Sequence, residues 1–271
     1  MSATDLCRLC GAKSIESFHL RGLAQRDISY FECVNCGSLQ TQEPTWLNEA
    51  YANSNLSHKD VGAAQRVLGN YAFILLAAKI FRLRTILDFG GGDGLLCRLL
   101  RDRGLDAQTV DEHTKPTYAH SFEGNLACYY DLISAFEVLE HLPHPSVSLD
   151  LLFQSKPRFI IASTEIYSGQ DSTWWYLTPD TGQHVFFYSR KALGLLARRR
   201  KYSYYEINGR HIFARDGLTR VQLRAISRLT SGLMFKLFRA TLPFSENWDW
   251  VLRDYESVEN ALHATDNSHS S

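Results

Sequence analysis

Apolar positions along this chain change their spacing several times, and each change marks an element. Val67, Leu68, Tyr71, Ile74, Leu75, Ala78 and Phe81 recur at three- and four-residue intervals, which predicts a helix over 61–84 packed on a core. From residue 85 the pattern becomes short β-rich runs separated by helical stretches. They read TILDFG, a helix from Gly94 to about Arg103, DAQTVD, a short helix, LACYY, DLISAFE, a helix from Pro145 to about Gln154, and RFIIAST. Apolar strands alternating with helices predict an α/β fold, with a mostly parallel sheet covered on both faces. Ser189 is placed to cap the next helix. Asn208-Gly209 lies between two β-rich runs and predicts a hairpin, so the sheet ends in an antiparallel pair. Two more helices follow, at about 217–239 and 246–263, and residues 264–271 read as a disordered tail.

Residues 1–42 have a different texture, turn-rich with β-formers around cysteines, and read as a separate small ribbon. The expected organisation is therefore a ribbon at 1–42, a linker and helical lead-in at 43–84, the α/β domain at 85–215, C-terminal helices at 216–263 and the tail. Four of the six cysteines form two CxxC units, Cys7/Cys10 and Cys33/Cys36. Four thiolates from two knuckles close a tetrahedron with no open position, which points to a structural zinc rather than disulfides. Cys97 and Cys128 stand alone and are expected to be buried.

Charge changes this picture little. Basic and acidic residues number 29 each, so no global field draws the protein to nucleic acid or anionic lipid. No apolar leader is evident, and the longest apolar run, Ala72–Ala78, stops at Lys79, far short of a membrane span. The chain reads as cytoplasmic.

The densest chemistry is Ile86-Leu87-Asp88-Phe89-Gly90-Gly91-Gly92-Asp93-Gly94, a buried strand running into a glycine loop that opens a helix. Gly90, Gly92 and Gly94 allow close backbone approach to a ligand, and the helix start supplies free N–H groups. A dinucleotide would suit such a loop, but Asp88, two residues before the first glycine, suits a cofactor with a cationic amino-acid end. Asp111 ends the next strand, seventeen residues after Gly94, where a carboxylate can accept ribose hydroxyls. The segment Asp131-Leu132-Ile133-Ser134-Ala135-Phe136-Glu137-Val138-Leu139-Glu140-His141-Leu142 follows.

Together these two motifs resemble the class I S-adenosylmethionine-dependent methyltransferases over roughly residues 85–215, a Rossmann-like fold. The resemblance implies that Asp88 and Gly90 to Gly94 meet the methionine part and sugar of S-adenosylmethionine, and Asp111 its ribose. By the same resemblance Phe136 and Glu137 lie beside the cofactor, and Glu123 or Asn125 are candidates for the adenine amine. A four-cysteine module ahead of the catalytic domain is similar to methyltransferases of activated sugars and natural products. An RNA methyltransferase family also carries an N-terminal zinc finger.

The segment Tyr167–Tyr188 follows the last parallel strand and holds Trp174-Trp175-Tyr176, His184 and an aromatic run, as a substrate lid would. His184 is the leading acid–base candidate, with His141, Glu140 and Tyr167 behind it. The expected acceptor is a small polar molecule, such as a nucleotide-linked sugar or a glycan precursor. The ribbon carries four basic and four acidic residues in 1–40 and so lacks a positive face for nucleic acid, whereas 189–239 carries 13 Lys or Arg against two acids. A methyltransferase of structured RNA and a non-catalytic cofactor-binding module are the alternatives. The sequence leaves the oligomeric state open.

Overall fold

The computed structural model describes residues 4–52, 61–242 and 248–269, the last nine of these by backbone alone. Strands β1 (Thr4–Leu6), β2 (Lys13–Arg21), β3 (Asp27–Cys33) and β4 (Leu39–Thr41) form an antiparallel sheet. Helices α1 (Leu47–Ala52) and α2 (Ala63–Phe81) follow, and α2 ends on Arg82, which takes a left-handed φ of 54°. The second sheet contains β5 (Thr85–Phe89), β6 (Asp106–Val110), β7 (Leu132–Phe136) and β8 (Phe159–Ser163), joined by α3 (Leu95–Arg101) and α4 (Pro145–Gln154). After the two-residue β9 (Phe186–Phe187) come α5 (Arg190–Arg199), β10 (Ser203–Ile207) and β11 (Arg210–Ala214). Helices α6 (Arg220–Leu229), α7 (Gly232–Thr241) and α8 (Trp248–His269) complete the chain.

The second sheet runs β10-β11-β8-β7-β5-β6. Its β6, β5, β7 and β8 pair in parallel, and β11 and β10 pair antiparallel, as the alternating pattern predicts. Asn208 and Gly209 both take positive φ, 49° and 75°, the mirror-image turn whose twist matches the flanking strands. Ser189 caps α5 by accepting from the Ala192 N–H at 3.0 Å. Helices α2 and α3 bury Ile74, Phe81, Leu96 and Leu100 on one face of the sheet, and α4 and α5 bury Leu149, Phe153, Leu193 and Leu196 on the other.

The ribbon does not stand apart. Its fifth strand is β9, which pairs antiparallel with β4 through Leu39/Phe187 and Gln40/Phe186. Phe186, Phe187 and Tyr188 are fully buried, each Phe contributing about 2 kcal/mol of apolar burial. Half-buried Arg8 donates to the Thr41, Gln42 and Val185 carbonyls, and the Ser189 hydroxyl donates to the Cys36 carbonyl. Ribbon and lid therefore share one core, containing Tyr30, Trp46, Tyr167, Leu177 and Phe187.

Several expectations fail. LACYY forms no strand, because the free edge of β6 is taken by residues 122–124: Thr109 N–H donates to Phe122 and Gly124 N–H to Thr109. Cys128 is consequently exposed, while Cys97 is buried as expected. No helix forms between β6 and that bridge. The helix expected over 217–239 is two, broken where Gly232 adopts φ +57°. Helix α8 continues to His269, propagating through a region expected to be disordered; residues 246–247 and 270–271 of the expected helix and tail lie outside the described residues.

Candidate active site

Strand β5 lies between β6 and β7, and its connections leave to opposite sides, which opens a crevice at the carboxyl ends of the strands. Gly90 to Gly94 occupy that crevice. Gly90 has φ +70°, and a Cβ there would meet Val138 Cγ2 at 2.5 Å. Gly92 has φ +56°, and among the described residues nothing lies within 4 Å of its Cβ position. The Asp111 carboxylate closes the loop from β6, accepting from Gly92 N–H at 2.9 Å and from His113 and Thr114 N–H at 2.8 Å.

Asp88 sits beneath the loop rather than on its surface, 3% exposed. A Cβ on Gly91 would meet its Oδ2 at 2.6 Å, so only glycine lets the loop lie on this carboxylate. The register that pairs Asp88 with Ser134 places the serine hydroxyl 2.7 Å from Oδ1, to which it donates. Burial, opposed by that bond, still pushes the carboxyl up to about 7.

Beyond the end of β7 is a cavity of about 800 Å³ whose lining includes Glu137, Glu140, His141, Tyr176, His184 and Arg210. Glu137 takes a positive φ of 54°, with its N–H on the Ser163 carbonyl and its Oε1 receiving the Ser163 hydroxyl at 2.5 Å. Burial first, then Glu140, raises its carboxyl above the usual range. Tyr176 donates its hydroxyl to Glu140 Oε1 at 2.6 Å, and burial raises this phenol. His184 Nδ1 is 2.7 Å from the Tyr176 carbonyl oxygen. A carbonyl can only accept, so Nδ1 carries a proton, and in the neutral ring Nε2 is the acceptor. His141 is pushed down to about 3 by burial and then by His184, and is neutral.

A family profile described as a methyltransferase domain matches residues 63–207, just over half of the 271. The chain belongs to this methyltransferase family. It is an S-adenosylmethionine-dependent methyltransferase, as the glycine loop and the E-V-L-E-H-L segment imply. Similar solved structures include the 1,6-didemethyltoxoflavin N1-methyltransferase of Burkholderia thailandensis with 1,6-didemethyltoxoflavin and S-adenosylhomocysteine bound, at 15% identity over 73% of this chain and 96% of that one, TM-score 0.47. The magnesium protoporphyrin IX methyltransferase of Synechocystis with S-adenosylhomocysteine is 15% identical over 63% and 94%, TM-score 0.44. The methyltransferase domain of bacterial CtHen1 is 21% identical over 54% and 97%, TM-score 0.39. No curated protein matches the chain.

The methyltransferase brings Asp88, Gly90, Gly92, Gly94, Asp111, Phe136 and Glu137 to one edge of its sheet. His141 and His184 meet on the cavity wall. Tyr167 does not join them: its hydroxyl donates to Glu32 of the ribbon at 2.9 Å, and its ring lies in the core shared with β3. Glu123 bridges to Thr109, and the Asn125 side chain caps the Ala127 N–H.

Sequence reasoning missed Tyr51, whose ring stacks on His113 at 4.0 Å and tilts against His141 at 6.5 Å. It also missed Arg210, half-buried at the start of β11 and donating to Asn70, and Arg66, which also lines the cavity. Tyr51 and Arg66 lie in the lead-in, and no local spacing ties that segment to the glycine loop. The pairing of β11 with β8 could have drawn attention to Arg210, since it puts the hairpin beside the parallel strands.

The four ribbon cysteines also converge. Cys7 and Cys36 sulfurs are 3.7 Å apart and Cys10 and Cys33 sulfurs 3.5 Å, far beyond a disulfide and close to the ~3.8 Å edge of a tetrahedral zinc–thiolate site. The two knuckles repeat one geometry: Gly11 N–H donates to the Cys7 carbonyl at 2.8 Å and Gly37 N–H to that of Cys33 at 2.9 Å. Both glycines take positive φ.

Proposed function

We propose that the enzyme transfers a methyl group from S-adenosylmethionine to a small polar acceptor, of the size and polarity of a nucleotide-linked sugar or a glycan or natural-product precursor. The observation that carries this reading is the cavity of about 800 Å³ beyond the end of β7, the strand that pairs with glycine-loop strand β5, with carboxylates, imidazoles and Arg210 along an aromatic wall. The cofactor's methionine end and sugar rest on Gly90, Gly92 and Gly94, which Asp88 supports from below. Asp111 accepts from the ribose, and Phe136 and Glu137 face the cofactor from the end of β7. Transfer is an in-line displacement from a sulfonium, so the protein's work is alignment, exclusion of water and removal of the acceptor's proton. We assign the proton to His184 Nε2, with neutral His141 beside it.

The basic run Arg198-Arg199-Arg200-Lys201 is accounted for without RNA, because it sits exposed at the C-terminal end of α5, where the helix dipole favours cations, and does not line the cavity. The four ribbon cysteines would hold one structural zinc. Among the described residues no helix is long and apolar enough to cross a membrane.

Calorimetry with S-adenosylhomocysteine tests the cofactor, and mass spectrometry of ligands that co-purify tests the acceptor. Bound oligonucleotides in place of a small molecule would overturn the acceptor class.

A further inference from the structure

We propose that Glu140, His141 and His184 bind one divalent cation on the wall of the acceptor cavity. One ligand atom from each of the three lies within 4.8 Å of the others, and His141 Nε2 is 3.9 Å from Glu140 Oε1. An ion at about 2.0–2.2 Å from nitrogen and oxygen donors holds them roughly 3–4 Å apart, so small side-chain movements close the shell.

Two of the three side chains keep one atom unmet. Glu140 is fully buried; Oε1 takes the Tyr176 hydroxyl, while Oε2 has no hydrogen-bond partner among the described residues. His141 Nδ1 is buried and equally bare. Leaving a buried acceptor unpaired costs about 1–3 kcal/mol, and more for a charged group, so a cation bound at this carboxylate would relieve that cost.

One residue orients two of the three ligands. Tyr176 receives the Nδ1 proton of His184 on its carbonyl and gives its own hydroxyl to Glu140. The first bond fixes the tautomer that points an Nε2 lone pair away from the carbonyl, and the second fixes the carboxylate. Metal-ligating histidines and carboxylates are held by outer partners in this way. Two imidazoles and a carboxylate favour manganese, iron, cobalt or zinc over calcium or magnesium. Three protein donors also leave positions open toward the cavity, unlike the closed four-thiolate ribbon.

The role of the ion rests on the methyl-transfer reading; its binding does not. An acceptor hydroxyl on an open position is acidified by the ion and loses its proton to solvent. The oxygen then forms a bond to the methyl carbon as the carbon–sulfur bond breaks, and the bonding pair stays on the sulfur of S-adenosylhomocysteine. One lone pair serves both uses, so with the ion bound His184 acts as its ligand, and without it Nε2 is the base assigned above.

The test is titration of the full-length protein, gel-filtered so that its ribbon zinc is retained, with Mn²⁺ alone, followed by electron paramagnetic resonance, and then with Zn²⁺ by elemental analysis. We expect one saturable Mn²⁺ site per chain and zinc beyond the single four-cysteine equivalent. His184→Ala and Glu140→Gln should each weaken Mn²⁺ binding at least tenfold with S-adenosylhomocysteine affinity unchanged. Glu140→Gln is nearly isosteric and carries the test if His184→Ala fails to fold. No saturable Mn²⁺ site and no second zinc, in protein that still binds S-adenosylhomocysteine, overturns the cation and leaves His184 as base. Undiminished Mn²⁺ affinity in a folded variant overturns it as well.

Discussion

The rings of His141 and His184 meet edge to face, with centroids 4.8 Å apart and planes at 85°. They come from opposite sides of the site. His141 ends a short turn after β7, and His184 closes the lid that β9 anchors to the ribbon. Their meeting ties the chemistry of the cavity wall to the integrity of the ribbon.

His184→Ala should lower turnover by about 10² or more while leaving S-adenosylhomocysteine affinity nearly unchanged, the scale of a lost proton acceptor. Steady-state kinetics with the identified acceptor, paired with calorimetry, checks this. Parallel loss of melting temperature and cofactor affinity would assign the residue a purely structural role.

Gly92→Val should abolish S-adenosylhomocysteine binding with the fold retained, because a β-branched residue is strained at φ +56° and its side chain enters open space over the loop. Asp111→Ala should do the same and also loosen the loop, since three backbone N–H groups lose their acceptor. Wild-type affinity by calorimetry in either variant would remove the loop from the cofactor site.

Asp88 makes stability depend on pH in a stated direction. Its folded value is raised to about 7 from an ordinary 3.8, so between these pH values the folded state holds a proton that the unfolded state releases. Stability from this group is therefore lost as pH rises through the window. Asp88→Asn keeps an acceptor for Ser134, and without cofactor it should melt higher than wild type at pH 8 and show a flatter profile from about pH 4 to 7. A variant that melts lower at pH 8 would show that the carboxylate is stabilised by something other than these neighbours.

Zinc should be present at one equivalent in the four-cysteine site, and its removal should reach past the ribbon. Because β9 pairs with β4 and the Ser189 hydroxyl donates to the Cys36 carbonyl, chelation should raise hydrogen exchange in residues 13–41 and 174–188 together. Strands β5 and β7 should stay protected. Exchange that rises in the ribbon alone would mean that the lid is anchored without it.

Local signals fixed much of this enzyme. The α2 periodicity, the apolar runs of β5, β7 and β8, the Asn208-Gly209 turn and the Ser189 cap are each decided by residues within a few positions of one another. So are the D-x-G-x-G-x-G loop and the two CxxC knuckles, whose backbone and ligand requirements are local. What only the tertiary structure decided are the contacts between distant segments. Pairing of β9 with β4 spans some 146 positions and makes the ribbon part of the lid, and no spacing rule encodes it. LACYY has the composition of a strand, yet the β6 edge is satisfied by residues 122–124, and a strand with no open edge to pair with does not form. Tyr167 looked catalytic by position, but its hydroxyl found Glu32 across the shared core. The same packing set Tyr51 against His141 and carried Arg210 and Glu140 to the cavity. Residue type and spacing set which elements form, while burial and the pairing of polar groups across the chain set which of them meet.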